Sequence, residues 1–208
     1  MNIHSLIFQE EDLRLTESSN VEIEMAHDQR KSNLRRVALV SFIFLICAAT
    51  LTIVLLQMSG YAGTMEDTQL GFNAEVIRNY FSLMTPTDLG LFITANLVDY
   101  LFMLCYGFFF FSAARLISWN YKIGLPKRIG LFLVWVGVIA AFLDGIENVF
   151  LLSMAVDPVG FASWLAIAHS SFALAKFLFM YVAMAWTVAG FVLNRTPLST
   201  HLMVSQVV

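Results

Sequence analysis

The sequence predicts an all-α integral membrane protein: a bundle of four spanning helices, both termini cytoplasmic, with an amphipathic helix in the first outer loop. Three observations predict it. Of 208 residues, 59% are hydrophobic and 13% charged, where soluble domains carry about 25% charged residues, and mean hydropathy is +0.74. Four apolar runs, at about 37–58, 89–115, 129–155 and 161–193, each exceed the ~20 residues a helix needs to cross a bilayer. They lack the polar–apolar alternation of barrel strands. Finally, Lys and Arg fall almost entirely on one side of these runs.

That asymmetry sets the direction. Arg14, Arg30, Lys31, Arg35 and Arg36 precede the first run, Arg115, Lys122, Lys127 and Arg128 lie between the second and third, and Arg195 follows the fourth. Ten of the twelve basic residues thus share one side, with Arg78 opposite and Lys176 inside a span. The positive-inside bias then puts both ends in the cytoplasm, and the expected location is a prokaryotic inner (plasma) membrane.

Residues 1–36 hold seven acids, Glu10 to Asp28, ahead of their last basic residues. A secretory signal is short, basic and close to the start, so this stretch reads as a polar cytoplasmic tail, partly disordered. In the loop at 59–88, Leu70, Ile77, Tyr80, Phe81 and Met84 approximate helical spacing against Glu75, Arg78 and Asn79. This is an amphipathic segment at the outer membrane face; it either packs over the bundle or acts as a lid. Gly124-Leu125-Pro126 separates the second span from the third, and Trp119, Tyr121 and Trp135 suit the inner interface. Asp157-Pro158-Val159-Gly160 is a tight turn that makes the third and fourth spans antiparallel neighbours. Residues 194–208 form a short cytoplasmic tail. Cys47 and Cys105 show no metal or redox spacing and read as small buried residues. No basic stripe interleaved with aromatics appears, so no nucleic-acid partner is expected. The expected partners are the lipid bilayer and a homo-oligomer or larger membrane complex.

The chemistry lies in residues that do not suit lipid: Asp99, Asp144, Glu147, Asn148, His169 and Lys176, with Tyr106 beside them. Such groups face a protein interior and find partners there. Asp144, Glu147 and Asn148 stand at i, i+3, i+4 on one helix face, His169 and Lys176 two turns apart on another, and Asp99, Phe102 and Tyr106 on a third. Counted from the outer ends, Asp99 lies ~15 Å deep, Asp144 ~17 Å, Glu147 and His169 ~12 Å and Lys176 ~22 Å. Side chains lean toward the N-terminus of their helix, which brings Asp144 and Lys176 toward one level. The expected pairs are Asp144 with Lys176 and Glu147 with His169. Three carboxylates then face one lysine, so a proton, a charged His169 or a bound cation must balance them. No H-E-x-x-H or similar spacing points to a metal, and no cofactor is expected. Tyr106 reads as packing or as part of a proton relay.

Three pieces, LVDYLFMLCYG (97–107), AAFLDGIENVFLL (140–152) and Lys176, together resemble a group of uncharacterised prokaryotic four-span membrane proteins. Their pattern is D-[YF]-x-F-x-x-x-Y-G, then D-x-x-E-N, then an intramembrane Lys. It is met here by Asp99, Tyr100, Phe102, Tyr106, Gly107, Asp144, Glu147, Asn148 and Lys176. The resemblance implies the four-helix arrangement over 37–193 and no activity. The functional expectation is a buried Asp/Glu/Lys/His site that binds or handles a proton, cation or small lipid-like ligand. The rivals are an intramembrane acid–base enzyme acting on a lipid-like substrate and a structural or accessory subunit whose polar set only fastens helices.

Overall fold

The structure, a computed structural model, describes residues 3–119 and 125–193. Tyr121, Lys122, Gly124, Arg195 and the tail at 194–208 lie outside the described residues. Six helices follow in order: α1 (Ile3–Met58), α2 (Met65–Gln69), α3 (Ala74–Ser82), α4 (Pro86–Trp119), α5 (Leu125–Val156) and α6 (Ser163–Leu193). Among the described residues there is no strand. Among the described residues, four stretches are long and apolar enough to cross a membrane: Asn20–Met58, Pro86–Trp119, Lys127–Val156 and Ser163–Val192.

The largest difference from expectation is the start of α1. The apolar run begins at 37, yet the helix is continuous from Ile3. Residues 3–36, expected to be partly disordered, contain no Gly or Pro and many good helix formers. Hydropathy marks the stretch suited to lipid and says little about where the helix ends. Cys47, expected buried, is exposed on α1, whereas Cys105 is buried.

Local chemistry explains the other boundaries. Thr85 and Asp88 cap α4 reciprocally: the Thr85 amide and hydroxyl donate to Asp88 Oδ2 (3.0 and 2.7 Å), and the Asp88 amide donates to Thr85 Oγ1 (3.3 Å). The Asn73 side chain accepts from the Glu75 amide and starts α3. Between α5 and α6, Asp157 accepts from the Gly160 amide through Oδ1 (3.1 Å) and from the Phe161 amide through its carbonyl (3.0 Å). The predicted turn is there.

Helices α4, α5 and α6 pack against one another, and α1 packs on α4. The surface is inverted relative to a soluble protein. Leu97, Leu101, Leu104 and Phe108 of α4, Phe132, Phe142 and Val149 of α5, and Leu174, Leu178 and Val188 of α6 are exposed. Asp144, Glu147, Asn148, His169 and Lys176 are buried. Polar inside and apolar outside is the arrangement that a lipid solvent favours.

The interior is layered. Below the loops lies an apolar core of Ile77, Phe81, Phe92, Leu151, Met154, Phe161 and neighbours. Toward the other end lies a second, of Tyr106, Phe110, Leu133, Val136, Ala140, Ala141 and Ala183. Asp99 of α4, Asp144, Glu147 and Asn148 of α5, and His169 and Lys176 of α6 fall between them along the chain.

The loop helix α3 is amphipathic and packs onto the first core, burying Ile77 and Phe81 completely or nearly so. Arg78, expected on its solvent side, instead ties it down. Its Nη2 donates to the Phe161 carbonyl (2.8 Å) and to Ser163 Oγ (2.9 Å), and its guanidinium lies 4.8 Å from the centre of the Phe161 ring. The Phe72 amide donates to Ser170 Oγ (3.1 Å) from a residue at φ 51°, an unusual conformation for a bulky side chain.

Candidate functional site

The polar layer is centred on Lys176 of α6. Its ammonium lies 2.7 Å from Asp144 Oδ1 and also makes ion-pair contact with Glu147 Oε2. Asp144 and Glu147, one turn apart on α5, thus act as a fork around one cation. The second oxygen of Asp144 accepts from the Tyr106 hydroxyl of α4 at 3.0 Å. All three packed helices meet at this carboxylate.

Two further contacts extend the layer. Asn148 Nδ2 donates to Asp99 Oδ2 at 2.8 Å, which links α5 to the third carboxylate on α4. Asp99 is the half-buried member, whereas Asn148 and Asp144 are buried. Beside them, the Tyr100 hydroxyl donates to the Gly145 carbonyl at 3.2 Å.

His169 sits on the loop side of Lys176. Its Nδ1 lies 3.3 Å from the Glu147 backbone carbonyl, and its Nε2 lies 3.8 Å from Glu147 Oε1. The Thr68 backbone also lies against this ring. Both side chains are fully buried, and neither Nε2 nor Oε1 has a hydrogen-bond partner. A carbonyl only accepts, so the Nδ1 contact requires the proton on Nδ1. Nε2 of a neutral ring is then an acceptor facing a carboxylate oxygen, another acceptor.

Every residue singled out from the sequence therefore lies in one connected layer. The Asp144–Lys176 pair is as expected. Glu147 differs: it shares Lys176 as well as meeting His169, because the lysine stem is long enough to reach both carboxylates of one face. Tyr106 is both packing and polar contact, since its ring stands edge-on to Phe102 and Phe110 while its hydroxyl reaches Asp144. Sequence reasoning missed Asn96 and Ser170. Their signal was their position, three residues from Asp99 and next to His169. Among the described residues, no three His, Cys, Asp or Glu side chains are grouped to hold a metal ion.

A cavity of about 190 Å³ lies between the loop and this layer, lined by Tyr61, Thr68, Gln69, Phe92, Asn96 and Leu151 among others. Asn96 and Leu151 stand one helical turn loopward of Asp99 and of Glu147 and Asn148. Part of its wall is polar: Tyr61 and Thr68 share a hydroxyl–hydroxyl bond of 2.9 Å, and the buried Gln69 Oε1 has no partner. Burial pushes the Tyr61 phenol up to about 12, so it stays neutral. Tyr80 donates to Asp67 Oδ2 at 2.9 Å, which likewise holds its phenol above the ordinary value.

Compared with known protein families, with curated proteins and with solved structures, the chain matches none.

Proposed function

We propose that this is a membrane protein with both ends cytoplasmic whose buried polar layer binds and passes on a proton. The carrying observation is the facing pair Glu147 Oε1 and His169 Nε2, two fully buried acceptors 3.8 Å apart without partners. Two acceptors in that position repel unless one proton is placed on either of them. Charge balance supports the same reading. Asp99, Asp144 and Glu147 offer three negative charges, and Lys176 supplies one positive.

A larger ligand fits the centre less well, because Lys176 and Tyr106 already occupy the inward oxygens of Asp144. The cavity beneath the loop supports loop-side access. The Lys/Arg asymmetry supports the orientation, which a reporter fused after residue 208 tests directly.

The structural reading has its own observation, the direct 2.7 Å Lys176–Asp144 bond between α5 and α6. Infrared difference spectroscopy of the reconstituted chain separates the two. The proton reading expects a protonated-carboxyl C=O band that titrates with pH. The band disappears in Glu147→Gln and persists in the exposed control Glu66→Gln. A spectrum with neither such a band nor an imidazolium band from His169, at any pH where the fold survives, sinks the proposal. The structural reading instead expects Asp144→Leu with Lys176→Met to leave any host phenotype intact.

A further inference from the structure

A second cavity, unrelated to the polar layer, opens at the opposite end from the loops. It is a groove of about 450 Å³ between α1, α4 and α5, within the size range of ligand sites. Leu34 and Val37 of α1, Phe108 and Phe111 of α4, and Trp135 and Val138 of α5 form its walls. Val37, Phe108 and Trp135 are largely exposed, so the groove opens sideways, toward where lipid would lie. Its walls are apolar except for Ser112, which is fully buried and whose hydroxyl has no partner.

The end of the groove away from the loops is basic. On α1, Arg30 and Lys31 stand one turn beyond Leu34 on the same face. On α4, Arg115 stands one turn beyond Phe111 and Ser112. The two helices run antiparallel, and their register is set by ring contacts: Phe42 with Phe109 at 5.4 Å and His27 with Trp119 at 5.2 Å. These three basic residues therefore gather at one mouth. Arg115 is braced there by Trp119, whose ring lies 5.8 Å from the guanidinium.

An apolar slot open to the bilayer with cations at its interfacial mouth matches one chemistry. We propose that the groove seats an acyl chain of an anionic phospholipid, with its phosphate held by Arg30, Lys31 and Arg115. The chain runs on between Phe108, Phe111 and Trp135. A zwitterionic lipid fills the slot equally well but gains little at its mouth.

Native mass spectrometry of the full chain in detergent, titrated with phosphatidylglycerol and phosphatidylcholine of identical chains, tests this. Phosphatidylglycerol is expected to bind about tenfold tighter or more, with roughly fivefold lost per neutralised charge in Arg30→Gln, Lys31→Gln and Arg115→Gln. Val138→Phe, which fills the slot, weakens both lipids alike, with thermal melting as the check on folding. A measurement on the native chain keeps the test independent of the variants. Phosphatidylglycerol brominated along its chain is expected to quench tryptophan fluorescence more than brominated phosphatidylcholine, and Trp135→Phe removes that difference. Equal binding of the two lipids overturns the proposal. So does a preference that survives all three Gln substitutions, or a preference without chain quenching, which would mean headgroup contact outside the groove.

Discussion

The two apolar cores on either side of the polar layer are closed by different means. The core under the loops is assembled from distant segments. Phe81 of α3 meets Phe92 of α4 edge-on at 5.3 Å and Phe161 of the α5–α6 turn at 6.4 Å, and Tyr61 meets Phe92 at 4.7 Å. Polar ties hold this cover in place, from Arg78 to Phe161 and Ser163, from Tyr80 to Asp67, and from Phe72 to Ser170. The opposite core uses helix residues alone. Small residues bring α4 and α5 close: a Cβ at Gly107 would lie 3.0 Å from that of Ala141, and one at Gly137 would run into Phe110. One end is thus sealed by large rings under a cover of loop helices, the other by backbone proximity. An end built from loops opens at lower cost than one built from packed helices.

Substitutions can break or sharpen that contrast. The largest effect is expected between the cores. Lys176→Met leaves two buried carboxylates without their cation and should cost about 3–5 kcal/mol, read by thermal melting in detergent. Adding Asp144→Leu should recover part of the loss, and no recovery would mean that Glu147 alone dominates. Next comes Phe81→Ala, which empties the centre of the loop-side core and should cost about 3 kcal/mol. Hydrogen exchange should show the loss spreading through α2 and α3 and sparing the α4–α5 contact at the other end.

Gly137→Ala tests the opposite core. Its new methyl meets the root of the Phe110 side chain, which cannot swing away. The expected cost is about 1–3 kcal/mol, with exchange rising in α4 and α5 and not in α3. Arg78→Gln should be milder, about 1 kcal/mol, because the lost bonds lie at a partly exposed edge. Its signature is faster exchange in α3 with little change in overall melting.

The smallest effect is a pH dependence. Tyr61 is a phenol with its folded value raised to about 12 from 10.0. Its contribution is complete below the unfolded value and is lost as pH rises through the folded one. The melting temperature should therefore fall between about pH 10 and 12, and Tyr61→Phe should flatten that part of the profile.

Much of the layer was legible from spacing. Periodicity put Asp144, Glu147 and Asn148 on one face, and the lean of helical side chains brought Asp144 and Lys176 to one level. Other contacts were not legible. That Tyr106 reaches Asp144 and Asn148 reaches Asp99 depends on how far α4 is rotated about its axis relative to α5. A sequence gives the angle between two residues of one helix, and no angle between two helices. Arg78 was misplaced for a related reason. Its position on α3 is polar by pattern, but α6 approaches that face from a distant part of the chain and supplies acceptors.

The sequence by itself determined that the chain is helical, that four stretches suit a membrane, and which few residues carry charge into them. Those properties follow from local hydropathy and periodicity. Only the tertiary structure decided who pairs with whom: that one lysine is shared by two carboxylates, and that Glu147 Oε1 and His169 Nε2 face each other. It alone showed that Leu34 and Val37 of α1 line one groove with Phe108 and Phe111 of α4. Each depends on the rotation and register of helices brought together from far apart in the chain, which packing sets and local pattern does not encode.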